Sequence, residues 1–185
     1  VWSLPDGDDY YAFLIRQFTT IDMTPEEIHQ LGLAEVDRIH GEMHGIMDRV
    51  GFSGTLQQFM ERLKQDPKFY YPNTDQGRED YLERARNLVS AMSQALPQAF
   101  HDGAPLPLVI RRAEIYREPT LPAAYFDPGS PDGERPGYIY LNLCDMANQA
   151  TFDLDALLFH EGIPGHHMQI STILTNDAVP EVRKT

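Results

Sequence analysis

Cys144 is the only cysteine in the chain, so no disulfide can form within it. A single thiol fits an exported protein as well as a cytoplasmic one. Basic residues are few: 15 Lys and Arg stand against 28 Asp and Glu, a formal net charge of −13. Nucleic-acid binding needs clustered cations to meet phosphates, so nucleic acid is excluded as an expected partner. An anionic membrane surface is disfavoured for the same reason. No apolar run approaches the roughly 20 residues of a membrane-spanning helix, and no signal-peptide pattern is present. There is no Gly-x-Ser-x-Gly elbow, no histidine near Cys144 in sequence and no glycine-rich phosphate loop, which argues against serine, cysteine and nucleotide chemistry. Internal repeats and low-complexity tracts are missing too.

What is present reads as a folded protein. Hydrophobic residues make up 42% of 185, enough for one domain with a core. After the turn-rich stretch Leu4-Pro5-Asp6-Gly7, a short helix offers Tyr10, Tyr11, Phe13, Leu14 and Phe18 as candidate core. Thr24-Pro25-Glu26-Glu27 is a capping box with proline in the first turn. It opens a helix whose apolar residues Ile28, Leu31, Val36, Ile39, Met43, Ile46, Met47 and Val50 recur at three and four, until Gly51 ends it. A second helix is predicted from Thr55 to Gln65, and a third from about Thr74, striped by Tyr81, Leu82, Ala85, Leu88, Val89, Met92 and Leu96. Prolines at 105, 107, 119, 122, 128, 131 and 136 then break the chain into loops and strands. Leu108–Arg112 and Tyr138–Leu143 read as strands, with a turn at Asp132-Gly133. A last helix is expected from Asp153.

That helix delivers the chemistry. His160-Glu161-Gly162-Ile163-Pro164-Gly165-His166-His167 places three histidines and a glutamate within eight residues. Imidazoles hold zinc, and a neighbouring carboxylate handles a proton. On an unbroken helix, at about 100° per residue, His166 points away from His160, and His167 shares its direction but lies roughly 10.5 Å further along the axis. Neither pairing suits one ion. Pro164 interrupts the helix because its ring opposes the carbonyl of His160, and Gly165 accepts backbone angles that other residues resist. A Pro164-Gly165 bulge that absorbs two residues would bring His166 to His160 and leave His167 beside the site. The reverse assignment stays open. Glu161, next to the first ligand, is the expected general base.

On these residues the chain resembles a family of bacterial proteins known as domain-of-unknown-function family 885. Its members look like helical zinc metallopeptidases with a His-Glu-x-x-Pro-Gly-His-His-x-Gln signature, matched here from His160 to Gln169. Thr24–Leu33 and Asp132–Asn142 are similar to further stretches of the family, in its order. The resemblance implies one zinc and hydrolysis of a peptide or small amide. It also implies a third ligand, the glutamate of a Glu-Gly-Trp segment. The only tryptophan here is Trp2, so this ligand, and the remainder of the same polypeptide, are expected outside residues 1–185.

The expected architecture is mainly α with a small sheet, an α+β fold like that of helical zinc metallopeptidases. It is read as a single domain, residues 1–185, part of a larger protein: a helical part over 1–104, sheet and loops over 105–152, and the metal-site helix over 153–185. Zinc peptidases commonly set a strand edge beside the metal for an extended substrate, and Tyr138–Leu143 is the candidate. Tyr140 and Asn142 on that strand, with Tyr125 and Arg135 in the loop before it, are the candidate substrate-binding residues. Other histidines carry less. His40 and His44 share a helix face but lack an adjacent glutamate, and His29 and His101 have no evident partner. The competing functional class is a non-catalytic module that binds a peptide or protein, in which the histidines satisfy core hydrogen bonds.

Overall fold

Local capping signals start three of the described α-helices, those that open after Thr24, Thr55 and Thr74. The computed structural model describes residues 3–100 and 106–184, so Trp2, His101 and Pro105 lie outside the described residues. The chain divides into two compact units, Val1–Leu63 and Lys64–Thr185, where the sequence reading has one domain.

The first unit is helical. Helix α1 spans Gly7–Thr19 and α2 spans Pro25–Arg49. The predicted capping box is present: the Glu27 N–H donates to Thr24 Oγ1 at 3.2 Å, and the Thr24 N–H donates to Glu27 Oε2 at 2.7 Å. Gly51, at φ +69°, turns the chain away after α2, and the Phe52 N–H closes on the Met47 carbonyl at 2.9 Å. Helix α3, Leu56–Gln65, starts with a second reciprocal pair, Thr55 with Gln58. The expected burial does not follow. Tyr10, Phe13 and Phe18 of α1 are exposed, and Ile15 is its buried apolar residue. On α2 only Met47 is buried. The periodicity located the apolar faces, but within the described residues little packs on them.

The second unit holds the core. Helix α4, Asp75–Ala95, is capped by Thr74, whose hydroxyl accepts from the Gly77 N–H at 3.1 Å. Three strands follow: β1 (Leu108–Arg112), β2 (Ala124–Asp127) and β3 (Gly137–Leu141). The sheet order is β1-β3-β2, with β1 parallel and β2 antiparallel to β3. Then come helix α5, Thr151–Glu161, and helix α6, His166–Thr175. Tyr81, Leu82 and Ala85 of α4 and Leu154 and Leu158 of α5 pack with Ile110, Ile139 and Leu141 of the sheet. The fold is therefore α+β, largely helical with a small mixed sheet. No helix among the described residues is long and apolar enough to cross a membrane.

Two expectations are corrected here. Tyr138–Leu143 cannot offer an edge, because β3 is the central strand and both its sides are hydrogen-bonded. Tyr125 lies in β2, not in a loop, opposite Tyr140. The prolines around Ala124–Asp127 masked this four-residue strand.

Glu118 locks the end of the sheet. It is 1% exposed and takes both Arg112 Nε and Nη2 at 2.7 Å, while Oε1 also accepts from the Leu143 N–H at 3.0 Å. The hydrogen bonds from Arg112 hold its carboxyl below the usual glutamate range. Replacing Glu118 with Ala leaves a guanidinium and a backbone N–H without their acceptor, and is predicted to destabilise the fold by about 2–4 kcal/mol in urea denaturation. Because the folded carboxyl titrates below the unfolded one, its contribution is complete above the ordinary carboxylate pKa and is lost as pH falls through the lowered folded value. Stability measured against pH should accordingly show a shallower acid limb in Glu118→Gln than in the parent.

Candidate metal centre

The histidine motif is divided between two helices. One helix was expected from Asp153 across the whole motif. Instead α5 ends at Glu161, four residues intervene, and α6 begins at His166. The Gly162 N–H closes α5 on the Leu158 carbonyl at 2.8 Å, and the Gln169 N–H opens α6 on the Gly165 carbonyl at 3.0 Å. The Ile163–Pro164 peptide bond is cis. Pro164 has no N–H to continue the α5 ladder. Gly165 sits so close to the end of α5 that a Cβ on it would overlap the carbonyl oxygens of His160 and Phe159. A glycine is required there by space. Gly162 is similarly tight, since a Cβ would stand 2.7 Å from the Leu158 oxygen and 3.1 Å from Ile139 Cδ1.

The break returns the chain on itself and brings two rings together. His160 and His166 meet edge to face, with centroids 4.6 Å apart and planes at 84°. Both residues are exposed, and Glu161, beside His160, is half-buried.

His167 points elsewhere. It is 1% exposed, and its ring packs edge-on against Phe126 with centroids 5.5 Å apart. Its Nε2 lies 2.7 Å from the Leu106 carbonyl oxygen, which can only accept, so Nε2 carries the hydrogen. Its Nδ1 is buried with no hydrogen-bond partner among the described residues and faces Gly137, where a Cβ would stand 3.0 Å away. Burial pushes the pKa of His167 down, against the opposing effect of the Leu106 bond. Of the two candidates left open by sequence, His166 is the one beside His160, and His167 anchors the start of α6 to the chain leading into β1.

Two imidazoles on one tetrahedral zinc, with bonds of about 2.0–2.1 Å, carry their ring centroids roughly 5 Å apart. The observed 4.6 Å fits such sharing. The fit extends to two donors: among the described residues no group of three His, Cys, Asp or Glu is placed to hold a metal ion.

The candidate substrate residues separate. Tyr125 and Tyr140 stack at 4.7 Å with planes 7° apart. Tyr140 is buried, and its hydroxyl bonds Arg111, a neighbour that sequence reasoning missed. Arg111 lies over the Tyr138 and Tyr140 rings at 4.1 and 4.6 Å, a layering visible only once β1 is known to run beside β3. Arg135 pairs with Asp127 at 3.5 Å. Asn142 is buried, donating to the carbonyls of Glu118 at 2.8 Å and Leu121 at 3.0 Å and accepting from the Cys144 N–H at 3.2 Å. Its amide is committed to the backbone at both ends. His29, His40 and His44 are all exposed.

The family model described as bacterial protein of unknown function, DUF885, matches residues 2–185. The chain belongs to this family. It is similar over its whole length to the crystal structure of the "putative lipoprotein" from Colwellia psychrerythraea, at 30% identity and a TM-score of 0.90. That match covers 100% of this chain and 32% of the Colwellia chain, so this chain spans about a third of that protein's length. No curated protein matches it.

Gly165→Ala is predicted to destabilise the protein by about 1–3 kcal/mol in urea, because the overlapping partners are backbone atoms that cannot rotate aside. His167→Ala should cost a similar amount by removing a buried ring and leaving the half-buried Leu106 carbonyl unpaired. His29→Ala, at an exposed position, should change stability by less than about 0.5 kcal/mol.

Proposed function

We propose that the chain, as a member of this family, carries part of the centre of a zinc-dependent hydrolase that cleaves peptide or small amide bonds. The observation behind this reading is the approach of the His160 and His166 rings across the Pro164-Gly165 break; Glu161 follows His160 in sequence at the end of α5. In this reading His160 and His166 are two ligands, and the third comes from outside residues 1–185. Bound zinc would supply an acidified water and polarise the scissile carbonyl. The protein's own groups supply the rest. Glu161 takes the proton of the attacking water and passes it to the leaving amine. His167 holds the first turn of α6 against the Leu106 carbonyl and so keeps His166 turned toward His160.

The sheet offers a place for an extended substrate at β2, which is an edge strand. The Asn142 N–H bonds the Ala123 carbonyl at 2.9 Å, so pairing alternates and turns the N–H and C=O of Ala124 and Phe126 outward. A peptide adding there would meet main-chain groups first. Tyr125 and Arg135, on and beside that strand, are the proposed side-chain contacts.

A non-catalytic binding module is the second reading. It is favoured by His167, a buried histidine that serves a core hydrogen bond, and by the two-donor count among the described residues. Metal analysis of the complete polypeptide separates the two. The hydrolase reading predicts about one zinc per chain, lost in His160→Ala. It also predicts that Glu161→Gln retains the metal while peptide cleavage falls by at least about 100-fold. A metal-free protein whose properties are unchanged in His160→Ala would support the binding module. Residues 1–185 alone are predicted to bind zinc weakly and to turn nothing over, and robust cleavage by this segment would contradict a third ligand from outside it.

A further inference from the structure

Helix α2 is 25 residues long, yet Met47 is its only buried residue. Most of its apolar residues share one side. At about 100° per residue, Ile28, Val36, Ile39, Met43, Ile46 and Val50 fall within an arc of about 80°, and the exposed Leu31 and Leu33 flank it, each about 60° beyond an edge. Val36, Ile39, Ile46 and Val50 are between 40% and 62% exposed. Along one flank Arg38 pairs with Glu35 at 2.8 Å and with Glu42 at 2.6 Å, giving the stripe a polar rim. A contiguous apolar stripe with a charged border is the mark of a covered surface.

Gly32 sits in the middle of the same arc. Nothing lies within 4 Å of the place its Cβ would take. Glycine is a poor choice inside an exposed helix, where alanine would be better. Here it makes a notch between Ile28 and Val36, shaped for the close approach of another helix.

We infer that this face of α2 is the packing seam for a further amphipathic helix of the same polypeptide. The Colwellia psychrerythraea structure superposes on the whole of this chain at a TM-score of 0.90, and the match takes up only 32% of that chain. The fold described here is thus found within a single longer molecule that has ample chain to cover α2. Other occupants fit less well. A second copy would bring a formal charge of −13 against −13. An anionic lipid surface would meet Glu35 and Glu42 along the border of the stripe.

The test uses the complete polypeptide that carries residues 1–185. With a benzophenone photo-crosslinker in place of Ile39, irradiation should give a product of monomer mass whose cross-link maps outside residues 1–185. A cross-linked dimer, a cross-link confined to residues 1–185, or no cross-link overturns the inference. Gly32→Leu fills the notch and should lower Tm by roughly 3 °C or more; an unchanged or raised Tm counts against a helix seated there. If either variant fails to fold, hydroxyl-radical labelling of the unmodified polypeptide decides. Protection of Val36, Ile39 and Val50 supports the seam, and labelling at the rate of free side chains overturns it.

Discussion

Residue 165 has no room for a side chain, because the carbonyl oxygens of His160 and Phe159 occupy the place where a Cβ would stand. That contact fixes how closely the start of α6 approaches the end of α5. A continuing helix would carry residue 166 a further turn and more along the axis. The chain instead folds back within four residues, and the rings of His160 and His166 come to lie 4.6 Å apart. Everything proposed for the motif depends on this return.

The rest of the second unit holds that return in place. Leu154 and Leu158 seat α5 on Ile139 and Leu141 of the central strand. His167 ties α6 to the Leu106 carbonyl just before β1, and Gly137 of β3 leaves space for its ring. Neighbouring histidines thus have opposite environments: His166 is exposed beside His160, and His167 is buried with its N–H committed. Glu118 braces the far end of the same sheet through Arg112 and Leu143. Most of the polar groups named as substrate contacts from sequence are used in this scaffold, Asn142 completely and Tyr140 through Arg111.

The features legible in the sequence are those decided within a few residues. The capping box of Thr24 with Glu27, a helix starting at Thr74 and the turn at Gly133 need only local geometry, and all three occur. Leu108–Arg112 is a strand with the expected bounds. Pro164-Gly165 announced a break, although a two-residue bulge was expected and a division into two helices is found. What stayed hidden depends on distant partners. His166 and His167 are adjacent and chemically alike, and their roles are set by a carbonyl 61 residues away. Strand β2 is short, flanked by prolines and stabilised by its partner β3. The α2 stripe is plain in sequence, but its periodicity does not say whether its cover lies within these residues.

Zinc-edge anomalous diffraction from crystals of the complete polypeptide, grown with zinc, tests the proposed centre most directly. One peak should lie about 2.0–2.1 Å from a ring nitrogen of His160 and from one of His166, with His167 still donating to Leu106. A peak bonded to His167 in place of His166, or no peak with the two rings turned apart, would contradict the account.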